Sequence, residues 1–199
     1  MTHQLLFVSG SQRRESHNQR LLNYLSQQLD GHCVIDILMP ADVGLPLFDQ
    51  DLEDQPDITD RLEKLHQRIN ACDGIVIATP EYNGQLPPYL KNLVDWVSRL
   101  PRIDSRFSNP FFARPVLLCS ASTGWSGGAL AIPHARALFG YLGSIVAGDT
   151  ICLPYADEAW DGEGYVFEPG FDAQLRTTAL QFLTLCAALP RMALTGTVA

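Results

Sequence analysis

The stretch Leu5-Leu6-Phe7-Val8-Ser9-Gly10-Ser11-Gln12-Arg13-Arg14-Glu15-Ser16-His17-Asn18 decides how the chain reads. Leu5 to Val8 form an unbroken apolar run, the pattern of a parallel strand covered on both faces. Beyond Asn18, the residues Leu21, Leu22, Leu25 and Leu29 recur at helical spacing. The order is therefore strand, short polar loop, helix. In a wound α/β sheet such a loop lies at the carboxyl end of its strand, where ligands bind. The first N–H groups of the helix lack intrahelical partners, and the helix dipole draws an anion to that end. Ser11, Ser16 and Asn18 add short hydrogen-bonding groups, and Arg13 adds a permanent positive charge. A phosphate monoester suits this chemistry. The competing reading is a polar turn with a Ser or Asn helix cap.

The alternation continues outward from that stretch. Cys33 to Met39 reads as a strand, and Pro40 to Pro56 as a loop rich in Asp and Pro. Ile58, Leu62, Leu65 and Ile69 mark a helix, with Asp57 or Thr59 available as its cap. Gly74 to Thr79 is a strand, Pro80 to Pro87 a loop, and Leu90, Leu93, Val94 and Val97 a helix expected to end before Pro101. Asp104 to Ala113 is a polar and aromatic connection to the strand Pro115 to Ser120. The glycine-rich Ser122 to Gly128 leads into a helix carrying Ala135, Leu138, Phe139 and Leu142, with Pro133 near its first turn. Ile145-Val146 and Thr150 to Leu153 form an interrupted fifth strand region, and Tyr155 to Pro169 an acidic, aromatic loop. Leu175, Phe182, Leu183 and Cys186 line a last helix. The expectation is an α/β protein with one doubly wound, five-stranded parallel sheet across 1–189, and a tail over 190–199.

Composition narrows the functional classes. The chain has 199 residues, 46% hydrophobic and 18% charged, which is globular composition. A formal net charge of −8 argues against a nucleic-acid surface or an anionic membrane as partner. The five cysteines are scattered, without CxxC or zinc spacing, and read as buried free thiols in a reducing compartment. The five histidines are dispersed too, so no metal site is expected. The first strand begins almost at once, leaving no room for a signal peptide, and no apolar run is long enough to span a bilayer. The expected location is the cytoplasm.

The loops after strands 1, 3 and 4 are the ones rich in small and polar residues: Gly10–Asn18, Pro80–Pro87 and Ser120–Gly128. In the strand order 2-1-3-4-5 they open side by side at one edge. Together they could hold a flat ligand with a phosphate at one end.

Three motifs within them carry a resemblance. The first is Gly10-Ser11-Gln12-Arg13-Arg14-Glu15-Ser16-His17-Asn18. The second is Thr79-Pro80-Glu81-Tyr82-Asn83, followed by Pro87, Leu90-Lys91-Asn92 and Asp95-Trp96-Val97-Ser98-Arg99. The third is Ser120-Ala121-Ser122-Thr123-Gly124 with Gly127-Gly128. The chain resembles the flavodoxin-like NADPH-dependent FMN reductase family, which includes chromate, quinone and azo-dye reductases. The resemblance spans roughly Leu5 to Gly143. It implies bound FMN, with Ser11, Arg13, Ser16, His17 and Asn18 facing the phosphate and ribityl chain. Pro80, Glu81, Tyr82, Asn83, Ala121 and Ser122 would lie against the ring system. NADPH or NADH would be the co-substrate and a small molecule the electron acceptor, in a homodimer or homotetramer. No side chain is required as an obligatory acid or base. Gln85 stands where many relatives have Ser, and Pro88-Tyr89 where small residues are common, at the face where substrates stack. A flavodoxin-type electron carrier without nicotinamide turnover is the alternative.

Some features have competing explanations. Glu81 could be an acid or a helix-start carboxylate. Trp96 and Tyr89 could be core or interface residues. Lys91 and Asp95 fit a surface ion pair one helical turn apart. Gly124-Trp125-Ser126-Gly127-Gly128 fits the nucleophile pattern G-x-S-x-G, but the fold that uses it needs an acid and then a His downstream. The only later histidine is His134, and no acidic residue lies between Ser126 and it.

Overall fold

The computed structural model describes residues 3–161, 164–166 and 169–189. The expected tail, 190–199, lies outside the described residues. Five strands, β1 (Gln4–Ser9), β2 (Val34–Leu38), β3 (Gly74–Ala78), β4 (Pro115–Ala121) and β5 (Ile145–Leu153), form one parallel sheet in the order β2-β1-β3-β4-β5. This is the expected flavodoxin-like topology.

Strand alternation divides the core into two layers. Leu5, Phe7, Val76, Ala78, Leu117 and Cys119 face α1 (His17–Gln28) and α6 (Pro169–Ala188). Leu6, Val8, Ile75, Ile77, Val116 and Leu118 face α3 (Pro56–Ala71), α4 (Pro88–Ile103) and α5 (Ala131–Tyr141). Each central strand is therefore covered on both sides, which explains its unbroken apolar sequence.

Several local expectations need correction. The 40–56 loop contains a one-turn helix, α2 (Pro40–Val43), and a 3-10 turn at Gln50–Leu52. Neither buries enough apolar surface to give a helical period. Helix α3 starts on Pro56 after Gln55, so neither Asp57 nor Thr59 is its cap. Helix α4 runs through Pro101 instead of stopping before it. So near the end the proline removes one bond, and the Asp104 N–H still closes on the Leu100 carbonyl at 2.8 Å.

The fifth strand is continuous but bulged. Its register against β4 shifts between Val116 and Leu118. Arg136 fills the irregularity, donating to the carbonyls of Ala147 (2.7 Å) and Gly148 (2.6 Å). The loop from Tyr155 holds a small antiparallel pair, β6 (Trp160–Asp161) and β7 (Gly164–Tyr165). Among the described residues, no helix is long and apolar enough to cross a membrane.

Candidate functional site

The three chosen loops are fastened together at the carboxyl edge of the sheet by their own backbone. Gly10 N–H donates to the Ala78 carbonyl at 2.7 Å, Thr79 N–H to Cys119 at 2.9 Å, and Ser122 N–H to Leu153 at 3.1 Å. Gly10 suits this close approach, since a Cβ there would sit a tight 3.1 Å from the Thr79 Cα. Gly128, at φ +84°, is required twice over: its backbone is left-handed, and a Cβ would collide with Ser120 Oγ. That hydroxyl already donates to the Thr79 carbonyl at 2.7 Å.

Asn18 ties the first loop to the third. Its side-chain amide donates to the Ala121 carbonyl and accepts from the Ala121 N–H, both at 2.9 Å. The side chain is buried. The resemblance implies Asn18 facing the phosphate and ribityl chain; its side-chain amide is bonded to Ala121, while its backbone N–H stands at the helix start. Asn18 thus locks the start of α1 to the end of β4. Its role would be hard to anticipate, because the two residues are 103 positions apart.

The remaining residues of the first loop keep hydrogen-bonding capacity. Ser16 caps α1, accepting from Gln19 N–H at 3.3 Å while its own proton stays available. Ser11 accepts from Arg13 N–H at 3.2 Å in the same manner. Both serines are buried. The helix-start N–H groups of His17 and Asn18 have no carbonyl one turn back to bond within α1. His17 Nδ1 is a buried nitrogen without a hydrogen-bond partner among the described residues. Burial, together with the Arg13 and Arg20 guanidiniums, holds its pKa below the ordinary histidine value, while Asp157 opposes them. Arg13 itself is exposed and makes no side-chain hydrogen bond or ion pair among the described residues. An orphaned buried nitrogen, two hydroxyls, a helix start and an unengaged guanidinium are suited to a phosphate monoester.

The second loop is organised differently. Tyr82 and Gln85 exchange backbone bonds, each 3.0 Å, across Asn83 (φ 52°) and Gly84 (φ 74°). Two left-handed residues between paired ends make the tight hairpin turn that Asn-Gly favours. Tyr82 is presented at its end, 49% exposed. Pro80 is half-buried and Asn83 exposed. Glu81 spends a carboxylate oxygen on the Leu130 N–H at 3.0 Å, just before α5, so it acts as a helix-start carboxylate. In the third loop, Ala121 is buried, and the half-buried Ser122 accepts from Gly124 N–H at 3.2 Å.

Other motif residues turn out structural. Trp96 is wholly buried and its indole N–H donates to the Pro46 carbonyl at 2.8 Å, a bond that the Asn92 amide duplicates at 2.8 Å. They pin the 45–48 segment to α4. Tyr89 packs against the core with its hydroxyl buried, and burial with the Asp42 charge pushes its pKa up to about 12. Lys91 and Asp95 form the ion pair, at 2.6 Å. Ser126 Oγ accepts from Gly128 N–H at 3.3 Å, a turn contact, and the His134 ring is bonded to Gln85. The nucleophile reading gains nothing from either bond.

Fold and edge together define a flavodoxin-like protein whose switch-point rim is prepared for a phosphorylated planar cofactor. The sequence matches the family NADPH-dependent FMN reductase over residues 4–158. It is 34% identical to a quinone reductase of Escherichia coli over 143 residues, 72% of each chain. It is 30% identical to an NAD(P)H-dependent FMN reductase of Pseudomonas aeruginosa over 166 residues, 82% of this chain and 84% of that one. Among solved structures it is similar to FerB, a flavoenzyme NAD(P)H:(acceptor) oxidoreductase from Paracoccus denitrificans. That likeness has a TM-score of 0.80 at 23% identity, covering 94% of this chain and 98% of the other. The chain belongs to the NADPH-dependent FMN reductase family and is an FMN- and NAD(P)H-dependent oxidoreductase.

Proposed function

We propose that the chain holds FMN across the three loops and carries electrons from NAD(P)H to a small acceptor of the quinone or azo class. Those classes are the substrates named for relatives from Escherichia coli and Bacillus. Ser11, Arg13, Ser16 and His17 bind the phosphate end, with the α1 N-terminus beneath them. Pro80, Tyr82, Asn83, Ala121 and Ser122 border the ring system, and Glu81 and Asn18 hold that border in shape. Bound FMN would supply the redox chemistry, taking hydride from the nicotinamide and releasing electrons to the acceptor. The chain's own part is to neutralise the phosphate, fix the plane of the ring and leave one face open.

The observation that carries this reading is His17 Nδ1, unpartnered among the described residues, beside an Arg13 that is likewise uncommitted among them. In a chain of net charge −8, a local cluster of donors answers to a local anion. The test is a visible absorption spectrum of purified protein before and after NADPH. A bound-flavin spectrum that bleaches on mixing is expected. A colourless protein that takes up no added FMN would sink the proposal, and a flavin spectrum unmoved by NADPH would mark an electron carrier.

We also propose a homodimer or homotetramer located in the cytoplasm. The exposed side chains of Phe112 and Tyr141, near the amino edge of the sheet, support an interface, and five free cysteines support a reducing compartment. Light scattering of the eluted protein tests the assembly; a monomer would remove it.

A further inference from the structure

The Tyr82–Gln85 hairpin is fastened to α5 at two points. Glu81 Oε2 accepts from Leu130 N–H at 3.0 Å, and Gln85 Nε2 donates to His134 Nε2 at 3.0 Å. Residues 81 and 85 are four apart, as are 130 and 134, so the two bonds run side by side across about one helical turn. The first bond is charge-assisted and close to β3; the second joins two exposed side chains at the outer end of the hairpin. Between them stands Tyr82, whose backbone is rigid because the left-handed Asn83-Gly84 turn closes on itself. A hairpin held only at Glu81 could pivot about that point. The second bond gives the hairpin a second point of attachment to α5, on the other side of Tyr82 from Glu81.

We propose that Gln85 and His134 form a clasp that sets the width of the mouth at the carboxyl edge, and thereby selects electron acceptors by size. The proposal rests on the reading that this edge holds FMN. Both residues are positioning residues: they act through the hairpin and touch neither cofactor nor acceptor. The clasp passes acceptors of a single ring more readily than those of three fused rings. Opening it removes that preference without altering the phosphate end, because Ser11, Arg13, Ser16 and His17 belong to a different loop.

The test uses FMN-loaded protein and three variants, Gln85→Ala, His134→Ala and the double variant, at saturating NADPH. The readout is kcat/KM for a soluble anthraquinone sulfonate divided by kcat/KM for benzoquinone. Each single variant should raise this ratio about fivefold, the scale of one hydrogen bond. The double variant should rise no further than either single one, since the same bond is already gone. Gln85→Glu removes the amide donor but lets an imidazole N–H of His134 donate to the carboxylate instead, so it re-closes the clasp with the bond reversed and should return the ratio towards wild type. An unchanged ratio, or two single effects that add in the double variant, overturns the clasp. If wild-type protein does not bleach with NADPH, the underlying reading falls and the clasp with it. If wild type bleaches and the ratios are equal, the clasp alone falls.

Discussion

The two ends of the sheet use similar residues for opposite purposes. At the amino end, polar groups are consumed. Asp73 accepts from the Gln4 N–H at 2.8 Å and pairs with His3 at 3.5 Å. Arg114 donates to the Cys72 carbonyl and to Asn70 Oδ1 at 3.2 Å, and Ala113 N–H closes on Gly143 at 2.8 Å. At the carboxyl end, the backbone is fastened just as firmly, yet among the described residues His17 Nδ1 and the Arg13 guanidinium are left over. Two arginines of the same intrinsic character thus differ in whether the protein has already supplied their acceptors. A leftover donor inside a strapped frame is the mark of a site; a satisfied one is a joint.

The largest expected effect comes from Asn18, a side chain that belongs to both frame and rim. Asn18→Ala would strand the Ala121 N–H and carbonyl in the buried end of β4. Each buried unsatisfied group costs about 1–3 kcal/mol. Unfolding in urea should show a loss of about 2–5 kcal/mol, with FMN affinity falling too because α1 is no longer held against β4. Unchanged stability would mean that the amide is not the tie between those elements.

Next in size is the contrast between the arginines themselves. Arg114→Ala should cost about 1–2 kcal/mol of stability by stripping the Cys72 carbonyl of its donor, and leave FMN affinity unchanged. Arg13→Ala should do the reverse: thermal midpoint of the FMN-free protein unmoved, FMN affinity lowered about tenfold by loss of charge-assisted hydrogen bonds. Isothermal titration and thermal melts on the same two variants decide it. If both lose stability, or both lose affinity, the distinction between joint and site is wrong.

Acid should act on the folded frame through His66. Its ring is buried in α3, stacks edge-on against Phe107 at 4.9 Å and lies 2.9 Å from the Ser108 carbonyl. Burial, with Arg114 adding, holds its pKa below the ordinary 6.5, against the opposing pull of Ser108 and Glu63. The unfolded chain therefore binds this proton more readily than the folded one. The stability is fully present above the unfolded pKa, and is lost as pH falls through 6.5 towards the folded value. Melts between pH 8 and about 5 should fall more steeply for wild type than for His66→Gln. Parallel curves would remove His66 from the account.

Much of this frame was legible because buried parallel strands force continuous apolar runs. Leu5–Val8, Gly74–Ala78 and Pro115–Ser120 could hardly be anything else. Helix α1 was equally plain, since Leu21, Leu22 and Leu25 all go under. Short elements left no such trace: α2 has four residues, and the β5 bulge is stabilised by Arg136, a residue from another element. The site divides the same way. The hydroxyl-rich first loop and the Asn-Gly turn announce themselves locally. The Asn18–Ala121 tie and the Gln85–His134 bond join distant residues, and a sequence carries no spacing rule for either.

The smallest expected effect guards the comparison against a simpler explanation, that any cation near the carboxyl edge would attract a phosphate. Lys91 lies in the first turns of α4, close to that edge in the chain, but its ammonium is paired with Asp95 at 2.6 and 2.8 Å. An exposed i,i+4 pair is worth only about 0.3–0.5 kcal/mol. If the anion responds to unspent donors, Lys91→Ala should shift stability by no more than that and leave FMN affinity alone, while Arg13→Ala weakens it. If instead net field governs, removing either positive charge from a chain of −8 should weaken FMN alike, and raising salt should abolish both effects together. Equal losses in the two variants would make the leftover Arg13 donor irrelevant; a loss confined to Arg13 ties binding to an arginine whose acceptors the protein itself withholds.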